Sequence, residues 1–373
     1  VLAAELAPLG AIDAAITDGG VGFQGDARVV YRVNLQSRIA SRVLWSVHSG
    51  SYRNEEDIYR ALRAFDWERY FDVGRTLRVS VAAIRSPLKS LEFLTLRIKD
   101  AVCDRFRDAT GSRPSVDTAD PDVRIHAFLT AAEFTVYLDT SGEALFKRGY
   151  RSDANEAPLR ENLAAGIIKL SGWTAEEALL DPMCGGATFL IEAAHMALGV
   201  PPGAKRAFGF QKLNNYDPAL WKSVKDEAHA SQAPGTLRLF GSDRSARALE
   251  SARLNLSAAG LAGRVQLAQA DVLAANPPAP SGVLVMNPPY GVRMEDRDRL
   301  AELYPKLGDA LKQRFAGWRA YIFTADLRLP KLIGLSPSKR TPLFNGALEC
   351  RLYEFRIVAG PMRKRGEALG ERR

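Results

Sequence analysis

The chain has 373 residues, enough for two or three domains, and 46% of them are apolar, which excludes a disordered chain. Its formal charge is +8, and the excess is uneven: residues 1–150 carry 20 basic and 20 acidic side chains, whereas 151–373 carry 31 and 23. With Arg363, Lys364, Arg365, Arg372 and Arg373 near its end, the second part suits a polyanionic partner, because arginine makes forked contacts to phosphate.

Three cysteines (Cys103, Cys184, Cys350) have neither zinc nor disulfide-framework spacing, which points to a reducing compartment and a cytoplasmic location. Four scattered histidines (His48, His126, His195, His229) argue against a metal held by the protein. No apolar run reaches membrane-spanning length and nothing resembles a signal peptide. The chain opens on Val1 without a methionine, so the native protein is expected to start a few residues earlier.

Along the chain, 2–9 reads as a helix and 21–25 as a strand and turn. A strand over 43–47 and a helix over 55–64 follow, the helix with Ile58, Leu62 and Phe65 on one face. Residues 77–84 alternate as a strand, and 90–106 repeat apolar residues at Leu91, Leu94, Ile98, Val102 and Phe106, close to helical period. Residues 123–128 and 132–139 form a candidate strand pair. The first part is therefore expected to be a small α+β region. From about Ala164 the pattern changes to βα units: a helix over 163–169, a strand over 178–180 and a helix over 187–198. A Gly- and Pro-interrupted stretch spans 200–235. Its Phe208, Phe210, Tyr216 and Trp221 are expected to pack that insertion rather than stack on nucleotides. Strands over 237–241, 265–268, 283–285 and 320–324 alternate with helices over 245–259 and 300–315. Residues 348–357, after the turn Asn345-Gly346, supply closing antiparallel strands. The expectation is an α/β fold with a mostly parallel sheet of about seven strands.

Chemistry concentrates where these strands end, since open α/β sheets bind ligands at the carboxyl edge. Asp181-Pro182-Met183-Cys184-Gly185-Gly186-Ala187-Thr188 joins a strand to a helix. Its adjacent glycines allow close backbone approach, and the helix start favours a carboxylate. It is neither a dinucleotide fingerprint nor a Walker sequence. Cys184 lacks a recognisable histidine partner and reads as an ordinary residue of the turn. Asp243 follows the next strand, placed to accept both hydroxyls of a ribose, although a helix cap would also put an aspartate there. Asp271, after the third strand, suits an adenine amine, with a turn or cap as the plain alternative. Asn287-Pro288-Pro289-Tyr290 follows the fourth. An amide, two rigid rings and an aromatic platform suit a planar group with an exocyclic amine.

In this order the motifs resemble those of class I S-adenosylmethionine-dependent amino methyltransferases. Asn-Pro-Pro-Tyr alone is shared by enzymes of DNA adenine-N6, RNA guanine-N2 and protein glutamine-N5. Gly149-Tyr150-Arg151, the run Ala157 to Ala165, Arg206-Ala207-Phe208-Gly209-Phe210, Asn287 to Arg293 and Asn345-Gly346 together resemble the bacterial 23S rRNA guanine-N2 methyltransferase family. The resemblance implies a Rossmann-like seven-stranded domain over 149–373, preceded by a ferredoxin-like part over 1–40 and a THUMP RNA-binding domain over 41–148. It implies S-adenosylmethionine as cofactor, no metal, and RNA as partner. Pro158, Leu159, Arg160, Asp181, Pro182, Cys184, Gly185, Gly186 and Thr188 would surround the methionine part, Asp243 the ribose and Asp271 the adenine. Asn287, Pro288, Pro289 and Tyr290 would form the catalytic set, Asn287 also bordering the cofactor: Asn287 and the Pro288 carbonyl would accept from the substrate amine, and Tyr290 would stack on the base. Arg293 would contact phosphate, or form a surface ion pair. A tRNA guanine-N2 enzyme, an adenine-N6 enzyme and a non-catalytic assembly factor remain alternatives.

One departure stands out. The family's Cys-Gly-Ser-Gly-Thr is here Cys184-Gly185-Gly186-Ala187-Thr188. The turn is expected to survive with Ala187 at negative φ, as a helix-start residue, at reduced but not abolished cofactor affinity.

Overall fold

Residues 1–151, 159–232, 235–289 and 294–358 are described in the computed structural model. They divide into two units, one of residues 2–148 with 201–231 and one of residues 149–200 with those from 232 onward.

In the first unit, α1 (Leu2–Leu6) leads to the antiparallel hairpin β1 (Ile12–Thr17) and β2 (Gly20–Gln24). α2 (Ala27–Gln36) is started by Asp26, whose carboxylate accepts from the Val29 N–H at 3.0 Å. Val29, Val30 and Val33 are β-branched, which lowers the intrinsic helix preference of this segment. The cap and the burial of Val29, Tyr31, Val33 and Leu35 outweigh that effect. β3 (Leu44–Ser51), α3 (Glu55–Ala64), β4 (Leu77–Ala83), α4 (Leu91–Thr110), β5 (Val123–Leu129) and β6 (Glu133–Asp139) then build a four-stranded sheet of order β3-β6-β5-β4. Asn54 caps α3 and Ser90 caps α4, and Gly111 ends α4 in the left-handed conformation. Both helices lay Ile58, Leu62, Leu94, Ile98 and Phe106 on the alternate residues Ile125, Leu129, Val136 and Leu138.

The chain then leaves this unit for α5 (Glu161–Ser171), β7 (Ala178–Asp181) and α6 (Thr188–Ala197), and returns through 201–231, which carries α7 (Pro218–Ala230). The aromatics of this return segment do pack, but onto the first unit. Phe210 stacks on Tyr31 with ring centroids 4.3 Å apart, and Trp221 meets both edgewise. Arg28 and Arg32 of α2 pair with Glu227 of α7. A segment placed by sequence within 149–373 thus belongs structurally with 2–148.

The second unit holds a seven-stranded sheet. After β7 come β8 (Leu239–Asp243), α8 (Ala246–Ala258), β9 (Gln266–Gln269), β10 (Gly282–Met286), α9 (Met294–Arg314), β11 (Trp318–Thr324), α10 (Leu329–Leu332), β12 (Lys339–Asn345) and β13 (Leu348–Arg356). The order is β12-β13-β11-β10-β7-β8-β9; β13 alone runs against the others, pairing antiparallel with both β11 and β12, and the remaining pairs are parallel. Each central strand is apolar on both faces. Val283 and Val285 of β10 join α5, α6 and α8 on one side, whereas Leu284 and Met286 join α9 and α10 on the other. Continuous apolar runs are what a sheet covered on both faces requires. Strand order reverses between β7 and β10, so the carboxyl ends of these neighbours flank the crevice where such sheets bind ligands.

Candidate functional site

Asp181 ends β7 and Asn287 follows β10, placing both at the switch point. Asp181 is 2% exposed, and its Oδ1 accepts from the Met183 N–H at 3.2 Å, which turns the chain sharply out of the strand. Burial, then the nearby Asp243 carboxylate, push the Asp181 carboxyl up to about 8.

The loop after it is tied down from two directions. The Cys184 N–H donates to the Ser242 carbonyl at 2.9 Å, and the Gly185 N–H to Asp243 Oδ2 at 3.0 Å. From α8, Asn255 Nδ2 donates to the Gly186 carbonyl at 3.0 Å. A Cβ on Gly186 would lie 2.9 Å from that same Nδ2, so the missing serine side chain leaves room for Asn255. Ala187 does not take the expected negative φ. It stands at φ 63°, ψ 27°, left-handed, and α6 begins one residue later than expected, at Thr188. Burial raises the Cys184 thiol far above its ordinary range, so it is a packed, protonated residue of the turn.

These elements line a cavity of about 160 Å³. Leu159, Asp181, Cys184, Gly185, Gly186, Thr188 and Asn287 of the predicted residues face it. Pro182 is buried but off the cavity, and Arg160 is exposed, with its guanidinium beside Gly346. Asp243 and Asp271 also stand outside the lining. Asp243 holds Gly185 through one oxygen and the Ser245 N–H at 2.9 Å through the other. Asp271 is exposed and caps a short helical turn through the Leu273 N–H. Pro288 is buried and Pro289 exposed. Pro158, Tyr290, Arg293 and the basic residues after 358 lie outside the described residues.

Asn287 Oδ1 is buried and has no hydrogen-bond partner among the described residues. An orphaned acceptor at a pocket wall costs roughly 1–3 kcal/mol, a cost that a ligand donor would remove. Arg151, Met183, Phe189, Ser251 and Asn255 also line the cavity and were not singled out by sequence. Asn255 was detectable as a polar residue on the apolar face of α8, beside Ala252 and Leu256. Arg151 was detectable only as part of Gly149-Tyr150-Arg151. Among the described residues, no group of three His, Cys, Asp or Glu is placed to hold a metal ion, and no helix is long and apolar enough to cross a membrane.

Comparison with known proteins places the chain in a family. Residues 148–354 match the RMKL-like methyltransferase domain, 52–139 the THUMP domain and 1–44 the RlmL ferredoxin-like domain. The chain is 40% identical over 370 residues to the ribosomal RNA large subunit methyltransferase K/L of Syntrophotalea carbinolica, covering 96% of this chain. It is 37% identical over 369 residues to that of Shewanella frigidimarina, covering 97%. It spans about half the length of these curated relatives, 52% in each case. Among solved structures, a possible methylase from Clostridium difficile superposes with a TM-score of 0.88 at 28% identity, covering 97% of this chain and 96% of that one. A methyltransferase complexed with S-adenosylhomocysteine gives 0.86 at 32%, covering 96% and 95%.

Proposed function

The chain belongs to the RMKL-like methyltransferase family, with a THUMP domain and an RlmL-type ferredoxin-like domain, and on that premise we propose that it methylates the exocyclic N2 of a guanine in 23S rRNA. The observation that carries this reading is the orphaned Asn287 Oδ1 at the switch point. S-adenosylmethionine, when bound, supplies an electrophilic methyl group. The cavity fits its amino-acid end: at about 160 Å³ it is smaller than a pocket for a whole drug-sized ligand. Asp243 and Asp271, after the next two strands, would hold the ribose and the adenine amine.

An aryl amine is a weak nucleophile because its lone pair is delocalised into the ring. Asn287 Oδ1 and the Pro288 carbonyl accept its two N–H bonds, which turns the lone pair toward the methyl group. Orientation and fixed dipoles in a water-poor site supply much of the barrier reduction. The proton leaves after attack, when the nitrogen has become acidic, so no strong base is required. Tyr290 would stack on the base and Arg293 would contact phosphate. A guanine within a helix is flipped out to reach the site.

The test is incubation with labelled S-adenosylmethionine and undermodified rRNA, tRNA or duplex DNA, followed by digestion to nucleosides. N2-methylguanine from rRNA is the expected product. N2-methylguanine only from tRNA would move the substrate, and N6-methyladenine from DNA without methylguanine would refute the assignment.

A further inference from the structure

Among the described residues Arg151 is the sole cation lining the cavity. Its guanidinium is fixed by neighbours: Nη2 donates to the Leu159 carbonyl at 2.8 Å and to Thr188 Oγ1 at 3.0 Å. Nε lies 3.5 Å from Oε1 of Glu161, whose side chain is 7% exposed. Nη1 has no partner among the described residues. The side chain is 19% exposed, so an unspent charged donor there favours an anion in the cavity. Its anchor, Thr188, is the first residue of the ten-residue helix α6, which has no acidic residue in its first turn and no side-chain cap. The guanidinium and the free N–H groups of that helix start therefore reinforce one another. Asp181 supplies an acid to the same cavity. One acid and one cation in a small cavity match the two charges of an amino-acid zwitterion.

We propose that Arg151 recognises the α-carboxylate at the methionine end of the cofactor, with Nη1 donating to it, while Asp181 faces the α-ammonium. This assignment rests on the methyltransferase reading and extends it to cofactor specificity. Glu161 fixes the guanidinium plane, and Leu159 and Thr188 fix its position, so the carboxylate meets a donor that is already oriented. A cofactor lacking the carboxylate would leave Nη1 unpaired and lose affinity.

Calorimetry on the full chain decides the matter, with two ligands: S-adenosylhomocysteine, and its decarboxylated analogue, which keeps the adenosine, thioether and ammonium. Wild-type protein is expected to prefer the carboxylate-bearing ligand by about tenfold to a hundredfold, the range for a hydrogen bond to a charged group. Arg151→Gln is expected to erase that preference while leaving affinity for the analogue within about twofold. Arg151→Lys, which keeps the charge without the fork, should retain part of it. Equal affinity of wild type for both ligands, or equal loss of both in Arg151→Gln, would overturn the assignment and leave Arg151 as a structural brace. Wild-type protein that binds neither ligand would instead remove the methyltransferase reading on which the assignment stands.

Discussion

Ala187→Gly tests whether the left-handed turn before α6 stores strain. Ala187 is fully buried at φ 63°, ψ 27°, where an L side chain costs about 1–2 kcal/mol. Glycine removes that cost. It also frees the unfolded chain, which costs about 0.4–1 kcal/mol, and deletes a buried methyl group worth about 0.8 kcal/mol. The three terms nearly cancel, so Ala187→Gly should leave stability within about 1 kcal/mol of wild type. Ala193 provides the contrast. It is equally buried inside α6, where glycine costs about 1 kcal/mol in helix propensity and the same methyl burial, together close to 2 kcal/mol. Urea unfolding of the two variants should therefore differ by about 1–2 kcal/mol at equal m-value. If Ala187→Gly is as damaging as Ala193→Gly, the left-handed conformation carries no strain and this account of the loop is wrong.

Gly186→Ser, which restores the family's residue, puts a Cβ 2.9 Å from Asn255 Nδ2. It should cost about 1 kcal/mol in urea unfolding by displacing the Asn255 bond to the Gly186 carbonyl; an unchanged stability would mean that Asn255 gives way freely. Asn287→Ala should keep cofactor affinity within about threefold while lowering kcat by about a hundredfold or more, and parallel loss of both would place Asn287 in cofactor binding instead. Asp181 sets a pH dependence in the ligand-free protein: its folded carboxyl, raised to about 8, binds a proton more tightly than the unfolded one near 4. Its stabilising contribution is thus complete below about pH 4 and is lost as pH rises through about 8. The melting temperature of Asp181→Asn should fall less than that of wild type between about pH 5 and 8, and parallel curves would show that Asp181 is ionised throughout.

What could be read from sequence follows from where burial leaves a local mark. Val283–Met286 was legible as a strand because a sheet covered on both faces leaves no polar position in such a run. β1 was not, since all six of its residues are exposed and carry no alternation. The partner of the return segment was equally hidden: Phe210 and Trp221 are visibly core residues, but no local pattern names Tyr31 as what they cover. In the cavity, Asp181 and Asn287 were legible because a strand's carboxyl end has meaning in this kind of sheet. Asn255 acquires its contact only through the packing of α8, which no spacing encodes. Ala187 marks the boundary between the two cases. As the residue before a helix it should prefer negative φ, but Cys184 and Gly185 are bound to β8 and its Asp243, and Gly186 to Asn255. With three successive residues held, the backbone enters α6 through a left-handed residue at 187. The side chain at 187 therefore inherits its conformation from the loop, and a residue preference of about 1–2 kcal/mol is too small to reverse it.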